Sequence, residues 1–197
     1  MRTLFRNVRC VKKEKALSKL HELVVEYRFD IIGIAEPMVV PRANTTLVMG
    51  LQGYSSNIIH NGANGVLGNL WVLFKPELQP KVISISKQQI SVEVEGNLIS
   101  FIHASSVTQT RRHLWTQLEQ IRPNTPWLLG GDFNCVLSYV EKKGGRFPNL
   151  QAMQEFFNFV SRCDLLEPAS LGSKYSWSNN RKGNPRIVSK IDRFFLQ

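Results

Sequence analysis

The stretch PWLLGGDFNCVLS, Pro126–Ser138, decides how the rest of the chain is read. Trp127, Leu128 and Leu129 form a short apolar run that meets two glycines, and Asp132 and Asn134 follow, one position apart. A run of this kind bounded by turn residues reads as a buried strand. In an extended chain residues i and i+2 share a face, so Asp132 and Asn134 point the same way. Gly130 and Gly131 remove side chains just before them and let a backbone or a ligand approach. Two readings are open here: a carboxylate and an amide facing one substrate group, or a strand that ends in an Asx turn.

Working outward, DIIGIAEP (Asp30–Pro37) is a second short buried strand, stopped by proline. Before it, KEKALSKLHELVVEYR (Lys13–Arg28) carries Ala16, Leu17, Leu20, Leu23, Val24 and Tyr27 at helical spacing. RTLFRNVR (Arg2–Arg9) alternates polar and apolar residues as a first strand, with Leu4 and Val8 on one face. Strand, helix, strand in this order is an α/β signature. Residues 41–53 read as a loop. From Tyr54 to Ser105 the chain is strand-rich: SSNIIH, VLGNLWVLF, KVISIS and ISVEVEGNLISFIHAS, the last with Gly96-Asn97 as its hairpin turn. TRRHLWTQLEQIR (residues 110–122) and NLQAMQEFFNFVSRC (residues 149–163) are amphipathic helices, and YSWS and RIVSKIDRFFL are late strands. The pattern predicts a sheet-on-sheet core with helices outside.

Bulk composition sets bounds on this reading. At 197 residues the chain is long enough for one domain with a real core, and 43% hydrophobic with 20% charged residues is a globular composition. No apolar run approaches a membrane span, so no membrane partner is expected. The start, MRTLFRNVRCVKK, scatters charges where a secretory signal would be apolar. Cys10, Cys135 and Cys163 fit neither a disulfide framework nor a zinc spacing, which points to an intracellular setting, nuclear or cytoplasmic. The net charge of +10, concentrated at residues 2–19 and 142–193, favours an anionic partner, nucleic acid above all, or a solvated lysine-rich surface. No specific protein partner is implied.

Five further positions stand out. Glu36 ends its strand after an apolar run, and only 15 acidic residues exist in the chain. A strand-end glutamate near a strand-end aspartate suits a magnesium-assisted phosphoryl site, because the hard cation takes one or two carboxylates plus water and substrate oxygens. Asn7 lies in the first strand with its facing undetermined. His103 ends LISFIH and is either a packed residue or a catalytic one. Asp192, flanked by Ile191 and two phenylalanines, must be paired if it is buried. Arg111 and Arg112 open a helix, where the dipole disfavours cations, so a phosphate ligand or simple solvent exposure explains them.

Taken in order, RNVR, IIGIAEP, RRHLWTQL, PWLLGGDFNCVLS, EKKGG, YSWSN and KIDRFF resemble the endonuclease/exonuclease/phosphatase superfamily, in particular the endonuclease domain of plant LINE-type (non-LTR) retrotransposons and host genes derived from them. The likeness runs over essentially the whole chain, with GGDFN its most specific element. It implies a four-layered α/β sandwich, two packed β-sheets flanked by helices, in a single domain over 1–197. It also implies Mg²⁺ (or Mn²⁺)-dependent cleavage of phosphodiesters, with DNA as the partner. By that resemblance Glu36 binds the metal, and Asn7, Asp132 and Asn134 hold phosphate, metal and attacking water, Asp132 as the base. His103 stands where relatives carry a tyrosine, and Arg112 and Trp177 are candidate substrate contacts. Asp192 takes the place of an aspartate that orients a catalytic histidine.

The departures set further expectations. Relatives continue past the strand of Asp192 to a Ser-Asp-His motif that supplies this histidine and a last core strand. The sequence stops at Gln197, and none of its four histidines follows Asp192. Cys10 replaces a family glycine, and Met38 a frequent lysine. An incomplete domain lacking its last core strand is therefore expected, and loss of an acid/base group costs ~10²–10⁴-fold. Three readings remain: an impaired retrotransposon-derived nuclease, an inactive remnant that binds nucleic acid, and a phosphatase of small molecules.

Overall fold

The computed structural model describes residues 1–63, 66–121 and 124–197, so the expected helix end at Arg122 lies outside the described residues. The chain divides into two compact units, Met1–His103 and Ala104–Gln197. Its class is the expected one, mixed α/β with two major sheets flanked by helices.

In the first unit β1 (Thr3–Asn7) and β2 (Ile31–Ala35) run parallel. Parallel neighbours need a crossover, and α1 (Glu14–Tyr27) provides it. A short α2 (Thr45–Val48) follows, then β3 (Ile59–His60) and β4 (Leu70–Phe74), giving the sheet order β1-β2-β4-β3. β5 (Lys81–Ile85), β6 (Gln89–Val94) and β7 (Asn97–His103) form an antiparallel meander. Every residue of β2 and β4 is buried, as a strand covered on both faces requires. On one face Ile32, Ile34, Trp71 and Leu73 share a core with Leu20 of α1. On the other, a Cβ placed on Gly33 would fall 2.1 Å from Cδ1 of Phe101 in β7, so the meander packs directly on the bare backbone of β2.

The second unit contains α3 (Thr108–Ile121), β8 (Trp127–Asp132), β9 (Lys142–Lys143), α4 (Leu150–Arg162), β10 (Trp177–Ser178), β11 (Val188–Ser189) and β12 (Asp192–Leu196). β8 and β12 pair antiparallel, and β9, β10 and β11 form a small ribbon in the order β10-β11-β9. The core is aromatic. Trp115 of α3 stacks on Phe159 and Phe156 of α4 at 4.8 and 5.1 Å, and Phe133 meets Phe195 edge-on at 5.3 Å. Asn149 caps α4 by accepting the Ala152 N–H at 2.9 Å.

Several local expectations are corrected. Residues 41–53 include α2, one turn too short to show a periodic apolar face; Thr45 Oγ1 accepts the Arg42 N–H just before it. SSNIIH is a strand only at Ile59–His60. The hairpin turn is Glu95-Gly96, both at positive φ, because Val94 pairs with Asn97. RIVSKIDRFFL divides into β11 and β12. The close neighbour that Gly130 admits is the ring of Phe194 opposite it, which a Cβ would meet at 2.2 Å.

Candidate active site

The first unit gathers polar side chains at the strand ends. Parallel pairing sets Asn7 beside Ala35, so the next residue of β2, Glu36, comes level with it. Asn7 Nδ2 donates to Glu36 Oε1 at 2.6 Å, and Asn7 Oδ1 accepts the Arg9 N–H at 3.2 Å. Glu36 leaves the strand at φ +53°, a conformation costly for a non-glycine residue and concentrated at functional sites. It is held there by its own N–H, which donates to Asn69 O, and by its carbonyl, which accepts the Cys10 N–H, both at 2.8 Å. His103, at the end of β7, brings Nε2 to 3.4 Å from the same Glu36 oxygen. Its Nδ1 lies 2.9 Å from Asn69 Nδ2. Asn7, Glu36 and His103 therefore lie together at the ends of β1, β2 and β7. Asn61 and Asn69 carry no sequence signal of their own: they are two of several asparagines in a turn-rich segment, Asn61 just after β3 and Asn69 just before β4.

The second unit holds the other group. Asp132 is the last residue of β8 and lies opposite Asp192, the first of β12. Asn134 is not extended; it sits at φ +47°, which asparagine tolerates better than most residues. Its N–H donates to Asp132 Oδ1 at 2.9 Å, and its Nδ2 donates to Ala104 O at 2.8 Å. An Asx turn, not strand parity, brings Asp132 and Asn134 together. Between them Phe133 turns into the aromatic core. Ser176 of YSWSN accepts the N–H groups of Ile191 and Asp192 at 3.0 and 2.9 Å, pinning the start of β12. Buried Arg193 ties that strand to Glu141 and Glu167, and Glu141 also accepts the Leu137 N–H at 2.6 Å. Trp177 lies half-buried in β10. Arg112 is engaged by Glu155 through three hydrogen bonds, and this neighbour holds the Glu155 carboxyl below its usual range. Arg111 is buried and donates to Ser105 O.

Cys135 is buried between α4 and its own loop, and desolvation pushes its thiol up. Among the described residues no three His, Cys, Asp or Glu side chains gather into a metal cage. No helix among them is long and apolar enough to cross a membrane.

In each unit, then, a strand ends in a carboxylate beside an asparagine amide. The sequence matches the Endonuclease/Exonuclease/phosphatase family over residues 7–195, and the chain belongs to that family. The fold is similar to the endonuclease domain of TRAS1, a telomere-specific non-LTR retrotransposon (14% identity, 99% of this chain and 84% of that one, TM-score 0.70). It is also similar to the 3′ phosphatase NExo from Neisseria bound to a product DNA hairpin (13%, 99% and 85%, 0.72). An AP endonuclease from Archaeoglobus fulgidus is a third such structure (13%, 98% and 84%, 0.71). Among curated proteins there is no match.

Proposed function

We propose that this chain is a divalent-metal-dependent phosphodiesterase of the DNA-endonuclease type, derived from a plant non-LTR retrotransposon. The observation that carries the reading is the Asn7–Glu36 pair at adjoining strand ends, backed by His103, in a member of this family. The donor set fits Mg²⁺ or Mn²⁺: Glu36 is a carboxylate, neither contact on it involves its second oxygen, and the neighbouring donors are amides and not thiolates. Glu36 would hold the cation, which when bound lowers the pKa of water and neutralises charge on phosphoryl oxygens.

The protein groups have distinct work. Asp132 takes the proton of the attacking water, with the Asn134 N–H fixing the orientation of its carboxylate. Each amide nitrogen carries two hydrogens. Asn7 uses one on Glu36 and Asn134 one on Ala104 O, so each keeps a second for a phosphate oxygen. The basic surface supplies DNA affinity, and the setting is nuclear or cytoplasmic.

Incubating supercoiled plasmid with the purified protein and Mg²⁺ tests this. Expected is nicking that a chelator stops and that both Asp132→Ala and Glu36→Gln abolish. Salt-sensitive DNA binding without nicking would replace the reading with that of an inactive binding remnant. Phosphate release from a soluble phosphoester, with none from DNA, would replace it with a phosphatase.

A further inference from the structure

We infer that Asn61 and Asn69 are positioning residues that lock His103 in the Nε2–H tautomer, so that the imidazole presents a proton to Glu36 and to any phosphate bound beside it. Donor and acceptor roles are fixed at the backbone. The N–H groups of Asn69 and Leu70 both donate to the Asn61 side chain at 2.9 Å, so the atom facing them is its oxygen. The nitrogen of Asn61 then faces Ser86 O and Lys87 O at 3.0 and 3.2 Å, two carbonyls that only accept, which confirms the orientation. That same nitrogen lies 2.7 Å from the Asn69 side chain, so the Asn69 atom there must be its oxygen. The NH₂ of Asn69 is left pointing at His103 Nδ1, 2.9 Å away. An amide NH₂ can only donate, so Nδ1 carries a lone pair, and in the neutral ring the proton sits on Nε2. Nε2 faces Glu36 Oε1 at 3.4 Å.

Two consequences follow. His103 cannot offer Nε2 to a cation held by Glu36, so it is a hydrogen-bond donor and not a metal ligand. Moreover, the direction of the whole chain, backbone to Asn61 to Asn69 to His103 to Glu36, is set by groups that cannot reverse. The tautomer stands on geometry alone; the contact with phosphate rests on the proposed endonuclease reading.

Long-range ¹H–¹⁵N correlation on ¹⁵N-histidine-labelled protein, at a pH above the ordinary histidine range, reads the tautomer directly. His103→Gln assigns the signals. Expected is a protonated Nε2 and an unprotonated Nδ1. Asn69→Asp keeps the shape but only accepts, and it should turn the ring to the Nδ1–H form. In plasmid nicking Asn69→Asp should lower kcat tenfold or more with KM little changed, and His103→Gln, which keeps a donor, should retain more activity than His103→Ala. An Nδ1–H ring in the unmodified protein overturns the inference whether or not the variant folds, and so does an unchanged tautomer in a folded Asn69→Asp. The expected tautomers without nicking by any form would uphold the relay and sink the endonuclease reading; nicking with an Nδ1–H ring would do the reverse.

Discussion

Cys10 occupies φ +98°, a conformation suited to glycine, at a position where the resembled family has one. Its N–H is committed to Glu36 O, so the strain cannot relax without loosening the turn that carries the glutamate. Such strain costs about 1–3 kcal/mol, while the extra freedom of an unfolded glycine costs up to about 1 kcal/mol. Cys10→Gly should therefore stabilise the protein by about 1 kcal/mol, which a urea titration would read as a raised midpoint at unchanged slope. A midpoint equal to or below the parent's would show that residue 10 stores no strain. Tyr54 makes a different residue-scale test. Its buried hydroxyl donates to Phe29 O at 2.6 Å, and burial, with Asp30 adding to it, pushes the phenol from 10.0 to about 12. A folded pKa above the unfolded one means the contribution is whole below pH 10 and is lost as pH rises through 12. Stability should fall across that window by a ceiling of about 2 kcal/mol. Tyr54→Phe should flatten the fall while lowering neutral stability by about 1 kcal/mol for the lost hydrogen bond; urea titrations from pH 8 to 12 compare the two, and equal slopes would remove Tyr54 as the cause.

At the scale of elements, β2 is narrow by design of its centre. Gly33 leaves room for the Phe101 ring, and a methyl group there would overlap the ring at 2.1 Å. Gly33→Ala should cost about 1–3 kcal/mol or more through overpacking, seen as a lowered urea midpoint, and Phe101→Leu in the same chain should recover part of it. A Gly33→Ala protein with the parent's midpoint would mean that the two layers of the first unit can separate at no cost. Elements of this kind were legible in the sequence because burial leaves a pattern: the apolar runs of β2, β4 and β8 and the helical stripes of α1 and α4 follow from periodicity alone. What was not legible has a physical reason in each case. The turn at Glu95-Gly96 depends on register, which a single strand does not encode. Gly130 could have admitted a ligand or a ring, and only the pairing of β8 with β12 reveals Phe194. The start of β12 is held by Ser176, a hydroxyl 16 residues away, through backbone donors that no side-chain pattern reports.

Over the whole molecule, the candidate residues could be named from strand ends and family likeness, but their geometry could not. Asn7 had no determined facing until the parallel register set it beside Glu36, and the hydrogen-bond relay behind His103 joins residues 61, 69 and 103. Charge works on the opposite principle, since it needs no geometry to be read: an excess of ten positive charges was plain from the start. Some of those charges are already answered within the fold. Arg112, Arg162 and Arg193 face Glu155, Glu119 and the Glu141–Glu167 pair, which uses up four of the 15 acidic residues on three arginines. Cations elsewhere then outnumber carboxylates by a still wider ratio, and on the proposed reading they meet DNA phosphates. Each phosphate neutralised releases a counterion and adds about −0.9 to the slope of log K against log salt. Duplex binding followed by fluorescence anisotropy should therefore weaken at least tenfold between 50 and 200 mM salt, since about two phosphate contacts already give that fall. Asp132→Ala should bind with the same slope, because removing an anion from the end of β8 adds no cation contact to the backbone. An affinity that does not change with salt would show that the positive excess is a solvated surface and not a site for nucleic acid.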